Sequence, residues 1–315
     1  MSKSMTFGAR STADQVLAGI DLNGKRIVVT GCDSGIGIEI MNALAANGAH
    51  VIGLARTLAA ATEACRTVAF HTEPLECDLG DLDSVASAVN ALRQFGPIDA
   101  IVANAAVAYL PTLHTRYGVE QQFLVNHVGH FSLINGIADQ IRDGSGRVVI
   151  VTASASRHAP KDGIMFDNLA GQRFYEPQAF YAQSKLANAL YAVELARRLR
   201  SRGIAVNAVE PGAVRGTRIH RHIPTLRRLL RKLLAPFVRT AAQGAATIAY
   251  LIGSPATVGV SGEYWRECRR DDTHPLLADL DLAARLWQRS QEILAQDAVR
   301  PIEGAKQATV KHRAA

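Results

Sequence analysis

Short β-branched runs alternate with amphipathic helical stretches along nearly the whole chain, and that alternation restricts the fold more than any other feature. Arg26–Thr30 (RIVVT), His50–Ala55 (HVIGLA), Leu75–Leu79 (LECDL), Ile98–Ala106, Arg147–Thr152 and Ile204–Val209 read as six strands, with a further one near Gly262–Trp265. Between them, helices are expected over Ile36–Ala46, after a cap at Asp81, around Gly118–Arg142, from about Ala179 to Ser201, and near Ala241–Ile252. Strands separated by helices predict a parallel sheet covered on both faces. With 315 residues, 48% of them hydrophobic, there is material for one large α/β domain, and disorder throughout is excluded. No internal repeat and no linker breaks the pattern.

Several function classes fall away on composition. No run reaches the ~18 apolar residues of a membrane span, and the first residues lack the apolar core of an export signal. Cys32, Cys65, Cys77 and Cys268 form no CxxC pair, which argues against a disulfide framework or a structural zinc and predicts a reducing, cytoplasmic location. The net charge of +7 comes from one segment. Pro211–Gly262 holds eight Arg and Lys and no Asp or Glu, and the remainder is close to neutral. Arg218, Arg221, Arg227, Arg228, Arg231, Lys232 and Arg239 interleave with Leu226, Leu229, Leu230, Leu233 and Leu234. That pattern predicts an amphipathic helix that covers a substrate, or else a peripheral contact of residues 218–239 with an anionic membrane. A nucleic-acid partner is not expected, because the charge is not spread over a docking face.

The first strand ends in Thr30-Gly31-Cys32-Asp33-Ser34-Gly35-Ile36-Gly37. Glycines there allow close backbone approach to a pyrophosphate, and the following helix aims its free N–H groups at it. At the end of the second strand stands Ala55-Arg56 rather than a carboxylate. An arginine can pair with a 2′-phosphate, so NADP(H) is expected ahead of NAD(H); the plainer reading of Arg56 is a solvated loop residue. Asp78, closing the third strand, could accept from an adenine amino group or simply cap a turn. Further on, Tyr181 and Lys185 stand one helical turn apart, so phenol and ammonium share a face. The ammonium is expected to lower the phenol's pKa and make Tyr181 a general acid or base.

In this order these motifs resemble the classical short-chain dehydrogenases/reductases, and within them the retinol-dehydrogenase-like and WW-domain-oxidoreductase-like branch. The resemblance rests on TGCDSGIG, on Asp78-Leu79, on ANAA at Ala103–Ala106, and on FLVNHVGHF at Phe123–Phe131. YAQSK at Tyr181–Lys185, PGAV at Pro211–Val214, QGA at Gln243–Ala245 and GVSGEYW at Gly259–Trp265 complete it. It implies a Rossmann-type doubly wound sheet in a single domain spanning 25–297, with a small helical substrate lobe at about 213–240. Residues 1–24 would be an extension and 298–315 a tail. It further implies an Asn–Ser–Tyr–Lys catalytic set. Asn126 would hold a water beside Lys185, and Lys185 would also bond the nicotinamide ribose. Gly31, Asp33, Ser34, Gly35, Ile36, Gly37, Arg56, Asp78, Leu79, Asn104, Ala105, Pro211, Gly212, Val214 and Thr217 would join Tyr181 and Lys185 around the cofactor.

Three departures bear on activity. Ala106 replaces the glycine of the family's NNAG, Gly216 precedes Thr217 as an insertion, and the serine position, counted without a gap, falls on Ala153. A one-residue slip restores Ser154; Thr152 is the alternative hydroxyl. The implied reaction interconverts a carbonyl and an alcohol on a hydrophobic substrate held between the loop Ala155–Phe180, with Phe166, Leu169, Phe174 and Phe180, and the basic segment. A dinucleotide-binding regulatory protein with a weakened active site is the other reading. A homodimer or homotetramer built through helices flanking the sheet is implied as well. His127 and His130 lack a neighbouring carboxylate or cysteine, so no metal is expected, and no G-x-S-x-G elbow supports a hydrolase.

Overall fold

The computed structural model describes residues 7–68, 71–215 and 238–298. In chain order these form α1 (Ala13–Leu17), β1 (Arg26–Thr30), α2 (Gly35–Ala46), β2 (His50–Ala55), α3 (Leu58–Arg66), β3 (Thr72–Glu76), α4 (Leu82–Gln94) and β4 (Ala100–Ala103). A hairpin of β5 (Thr115–Arg116) and β6 (Val119–Glu120) leads into α5 (Gln121–Phe123), one π-helical turn (Leu124–Val128) and α6 (Gly129–Gly136). Then come β7 (Arg147–Val151), α7 (Pro177–Leu199), β8 (Ala205–Glu210), α8 (Ala241–Gly253), β9 (Tyr264–Arg266), β10 (Arg269–Arg270) and α9 (Leu280–Ala298). Thr217 and nearly all of the basic segment lie outside the described residues.

Among the described residues the main sheet runs β10-β9-β8-β7-β4-β1-β2-β3, parallel except for the antiparallel β10 at one edge. This is the doubly wound order expected from the alternation. Period two explains how one strand serves both faces. Ile27 and Val29 join the core beneath α2 and α8, while Val28 between them joins the core beneath α4, α6 and α7. All three are at most 1% exposed. The order reverses between β1 and β4, so a crevice opens at the carboxyl ends of the strands there, where open α/β sheets place their ligands.

Two strands differ from the sequence expectation. The third pairs over Thr72–Glu76, not Leu75–Leu79, with Val51 opposite Thr72 and Ala55 opposite Glu76. As an edge strand it is half exposed and tolerates Pro74, so no apolar run marks it. The fourth ends at Ala103 rather than Ala106, because the Asn104 and Ala105 amides turn away to donate to Thr30 Oγ1 at 2.9 and 3.0 Å.

The residues expected as an N-terminal extension are tied into the core. Thr12 caps α1 in a reciprocal capping box with Gln15, and Ala13, Val16 and Leu17 are buried against α8. A Cβ added at Gly253 of α8 would sit 2.4 Å from a Leu17 methyl, so the Leu17 side chain rests directly on the α8 backbone. At the other end, α9 covers the outward faces of α6 and α7. Trp287 packs edge-on to Phe131, with ring centroids 4.9 Å apart, and against Tyr191 at 5.8 Å, while Arg198 lies 4.0 Å over its ring. His127 Nε2 and Ser290 Oγ, 2.8 Å apart, bond across the same seam.

Trp287→Ala should destabilise the protein by about 3–5 kcal/mol, the usual cost of truncating a large buried aromatic. Urea unfolding followed by circular dichroism measures it, and a loss below about 1 kcal/mol would show that α9 packs only loosely.

Candidate active site

The floor of the crevice is the turn after β1. Gly31 adopts φ +66°, and a Cβ there would lie 2.9 Å from Ala105 Cα. At Gly37 a Cβ would lie 1.9 Å from the Gly31 carbonyl oxygen, so both positions exclude any larger residue. Ser34 stands at the N-cap of the twelve-residue α2 yet makes no side-chain cap bond, which leaves first-turn amides for an anion. A cavity of 780 Å³ extends from this turn, within the usual range for a cofactor or substrate site. Of the described residues expected in the catalytic and cofactor-binding sets, it touches all except Gly37 and Asn126.

At one end of the cavity lie Arg56, exposed and with no hydrogen-bond or ion-pair partner among the described residues, and Asp78. One Asp78 carboxylate oxygen accepts from the Gly80 amide at 2.9 Å, the turn-capping role. Asn104 spends its side-chain amide on the turn itself, donating to the Thr30 carbonyl at 3.0 Å, and so ties β4 to β1. Pro211, Gly212 and Val214 close the opposite side. Their loop is held by Arg239, which donates to the Pro211 carbonyl at 3.0 Å, pairs with Glu267, and exchanges backbone bonds with Ala213 and Arg215. Arg239 is thus not part of a solvated basic face; it pins the two chain segments that flank residues 216–237.

Tyr181 and Lys185 project from α7 into the same cavity, as the i, i+4 spacing demands. The electrostatic expectation fails, however. Burial pushes the Tyr181 phenol above its ordinary range, with a further contribution from Tyr109, and Lys185 is not among the causes. Burial also lowers Lys185 to about 7, so near neutrality it carries only part of its charge. Its Nζ donates to the Val151 carbonyl at 3.1 Å. The Tyr181 hydroxyl has no hydrogen-bond partner among the described residues and faces the cavity.

Asn126 sits in the π-helical turn, a distortion common at functional sites. Its amide nitrogen donates to the Val107 carbonyl and to Ser184 Oγ, each at 2.9 Å, and its Oδ1 accepts from the Val107 amide at 2.8 Å. The Asn126 carbonyl accepts from His130 Nδ1 at 2.9 Å. That bond fixes the tautomer, so His130 Nε2 accepts from the Thr30 hydroxyl at 2.8 Å. Burial lowers His130 to about 4, which keeps the ring neutral and the relay intact. Among the described residues no cluster of metal-ligating side chains occurs.

Of the hydroxyls after β7, Thr152 is spent, donating to the Lys185 carbonyl at 2.7 Å. Ala153 and Ser154 both line the cavity, and Ser154 is exposed, without a hydrogen bond to Tyr181. The expected apolar wall is displaced. Leu169 and Phe180 are buried in the core, Phe166 packs under Arg285, Phe174 is 53% exposed, and none of the four reaches the cavity. Val107, Ala108, Tyr109 and Leu124 line it instead. Sequence reasoning missed them because Val107–Tyr109 sit in an irregular loop with no periodicity to read.

With this geometry in view, similarity to known proteins becomes specific. The short chain dehydrogenase family model matches residues 25–226. The chain belongs to the short-chain dehydrogenase family. It is 35% identical over 300 residues to the WW domain-containing oxidoreductase of Homo sapiens, covering 91% of this chain and 72% of that one. Retinol dehydrogenase 14 of Homo sapiens is 34% identical over 293 residues, covering 86% of each chain. Among solved structures, one from Mycobacterium Paratuberculosis superposes with a TM-score of 0.73 at 28% identity, covering 91% of this chain and 98% of that one. A short chain dehydrogenase from Burkholderia cenocepacia, solved in complex with NADP, gives 0.60 at 25% identity over 78% of this chain and 96% of that one.

The depressed Lys185 carries a pH signature. An unfolded chain keeps this amine protonated to its ordinary 10.5. Between about pH 7 and 10 the unfolded state therefore binds more protons, and the stability linked to Lys185 rises with pH. Below pH 7 the cost of burying the charged amine is present in full. The melting temperature of the wild-type chain minus that of Lys185→Met should accordingly climb from pH 7 to pH 9 in cofactor-free buffer; a flat difference would mean the amine titrates normally.

Proposed function

We propose that this short-chain dehydrogenase family oxidoreductase uses NADP(H) to interconvert a carbonyl and an alcohol on a hydrophobic substrate. The observation that carries the reading is the meeting, in one cavity, of an uncapped glycine turn and an unpartnered, buried phenol. The cradle fits a dinucleotide, since Gly31 and Gly37 have no room for a Cβ. The turn Gly31–Ile36 would hold the pyrophosphate, Arg56 a 2′-phosphate and Asp78 the adenine amino group. Leu79, Asn104 and Ala105 would flank the dinucleotide, Lys185 would hold the nicotinamide ribose, and Pro211–Val214 would pack beside the ring. When bound, the cofactor supplies or removes a hydride.

The chain's own groups handle the proton. A buried phenol stays protonated at neutral pH, so Tyr181 is poised to give its proton to a carbonyl oxygen as negative charge develops there. Lys185, near half-titration at neutral pH, is a second proton-bearing group in the same cavity, and Asn126 fixes the loop Val107–Tyr109 against α7. Ser154 is the remaining hydroxyl on this rim to hold the substrate oxygen, since Thr152 is occupied. The substrate would lie against Val107, Ala108 and Leu124, which supports an apolar compound. Four reduced, buried cysteines support a cytoplasmic location.

Screening carbonyl compounds with NADPH and with NADH, following cofactor absorbance, tests the reading. Tyr181→Phe should cut kcat by about 10²–10⁴ while leaving NADPH binding unchanged. Arg56→Ala should weaken NADPH about tenfold or more and leave NADH unaffected. A preference for NADH in the wild type would overturn the role of Arg56. A second reading, a dinucleotide-binding regulator with a weakened site, is favoured by Ala153 at the ungapped serine position. It predicts NADPH binding with no turnover to lose in Tyr181→Phe.

A further inference from the structure

Tyr109 combines three features. Its backbone adopts φ +56°, a left-handed conformation that bulky residues rarely take and that persists only where the surroundings enforce it. The enforcement is visible. The Tyr109 amide donates to Oε1 of the fully buried Gln122 at 2.7 Å, and the Gln122 amide nitrogen donates to the Pro177 carbonyl at 3.2 Å, at the first residue of α7. The adjoining Leu110 carbonyl accepts from the Tyr175 hydroxyl at 2.6 Å. The strained loop is thus clamped to the start of the helix that carries Tyr181. Finally, the Tyr109 ring lies against the Tyr181 ring, with centroids 4.9 Å apart and planes inclined at 53°, and both line the cavity. The backbone is thus held in an unfavourable conformation that presents a flat ring beside the Tyr181 phenol.

We propose that Tyr109 determines substrate choice by offering its ring face to the group attached to the reacting carbonyl, so that the site selects aryl or conjugated carbonyl compounds over saturated ones of the same size. The proposal rests on the oxidoreductase reading above for its chemistry, though not for its binding geometry. Aromatic stacking of this kind amounts to about a threefold to tenfold preference. Val107, Ala108 and Leu124 supply apolar surface without a π face, and Tyr109 is the ring that lies directly against Tyr181.

The test compares acetophenone with cyclohexyl methyl ketone in the wild type, Tyr109→Phe, Tyr109→Leu and Tyr109→Gly. Glycine suits the positive φ, which removes backbone strain as an explanation for any loss. Relative to wild type, the ratio of kcat/KM for the aryl over the saturated ketone should fall about threefold to tenfold in the Leu and Gly variants, through KM, and stay unchanged in the Phe variant. An unmoved ratio, or an equal loss for both ketones, would overturn the proposal. Calorimetric binding of the two ketones to the protein loaded with NADP⁺, where no reduction can occur, gives the same ratio without turnover. A preserved binding preference with no turnover would sink the oxidoreductase reading and leave Tyr109's role standing. Turnover without a preference would do the reverse, and binding of neither ketone would overturn the proposal.

Discussion

One hydroxyl joins the three chain segments that make the floor of the cavity. Thr30 Oγ1 accepts from the Asn104 and Ala105 amides and donates to His130 Nε2, and His130 passes the connection to the Asn126 carbonyl. Four bonds through two side chains thereby lock the end of β1, the loop after β4 and the π-helical turn into one arrangement. Every group there is paired, which matters because an unmet polar group in such a buried place costs about 1–3 kcal/mol. The neutral imidazole is essential to this logic. A protonated ring could no longer accept from Thr30, and burial is what holds protonation off.

The reacting groups are governed by the same burial. Spacing along a helix placed phenol and amine on a common face, and the structure keeps that. Spacing could not report how little water reaches them. Desolvation raises one proton affinity and lowers the other, so the phenol rests as an acid and the amine rests close to half charge. The pair is set up to deliver a proton rather than to stand as a phenolate.

Much of the architecture could be read from local pattern. The β-branched runs in β1, β2, β7 and β8 are buried on both faces, and their sequence says so directly. The glycine turn and the Tyr181–Lys185 pair were legible because each is a short-range requirement of backbone or helix geometry. What escaped depends on distant partners. β3 is an edge strand with a proline, and its register is set by β2 rather than by its own residues. The true apolar wall follows from a loop whose shape is dictated by Gln122 and Tyr175, neither predictable from neighbours in sequence. Conversely, Phe166 and Leu169 of the loop before α7 are hydrophobic for the ordinary reason that the loop packs against the core, while Phe174 stays exposed. The helix α9 did carry a readable signal in Ala283, Leu286, Trp287, Ser290 and Ile293, spaced three and four apart along one buried stripe.

The contact between α1 and α8 has a consequence for how the chain is made. The helix α1, five residues long, is too short to persist alone in water. Its resting place is formed by residues 241–253, which leave the ribosome some 230 residues later. At a synthesis rate of about 5–20 residues per second, the amino-terminal segment would wait on the order of ten seconds or more without its docking surface. This contact therefore joins segments made some 230 residues apart, and until residues 241–253 emerge the apolar side of Val16 and Leu17 has no docking surface.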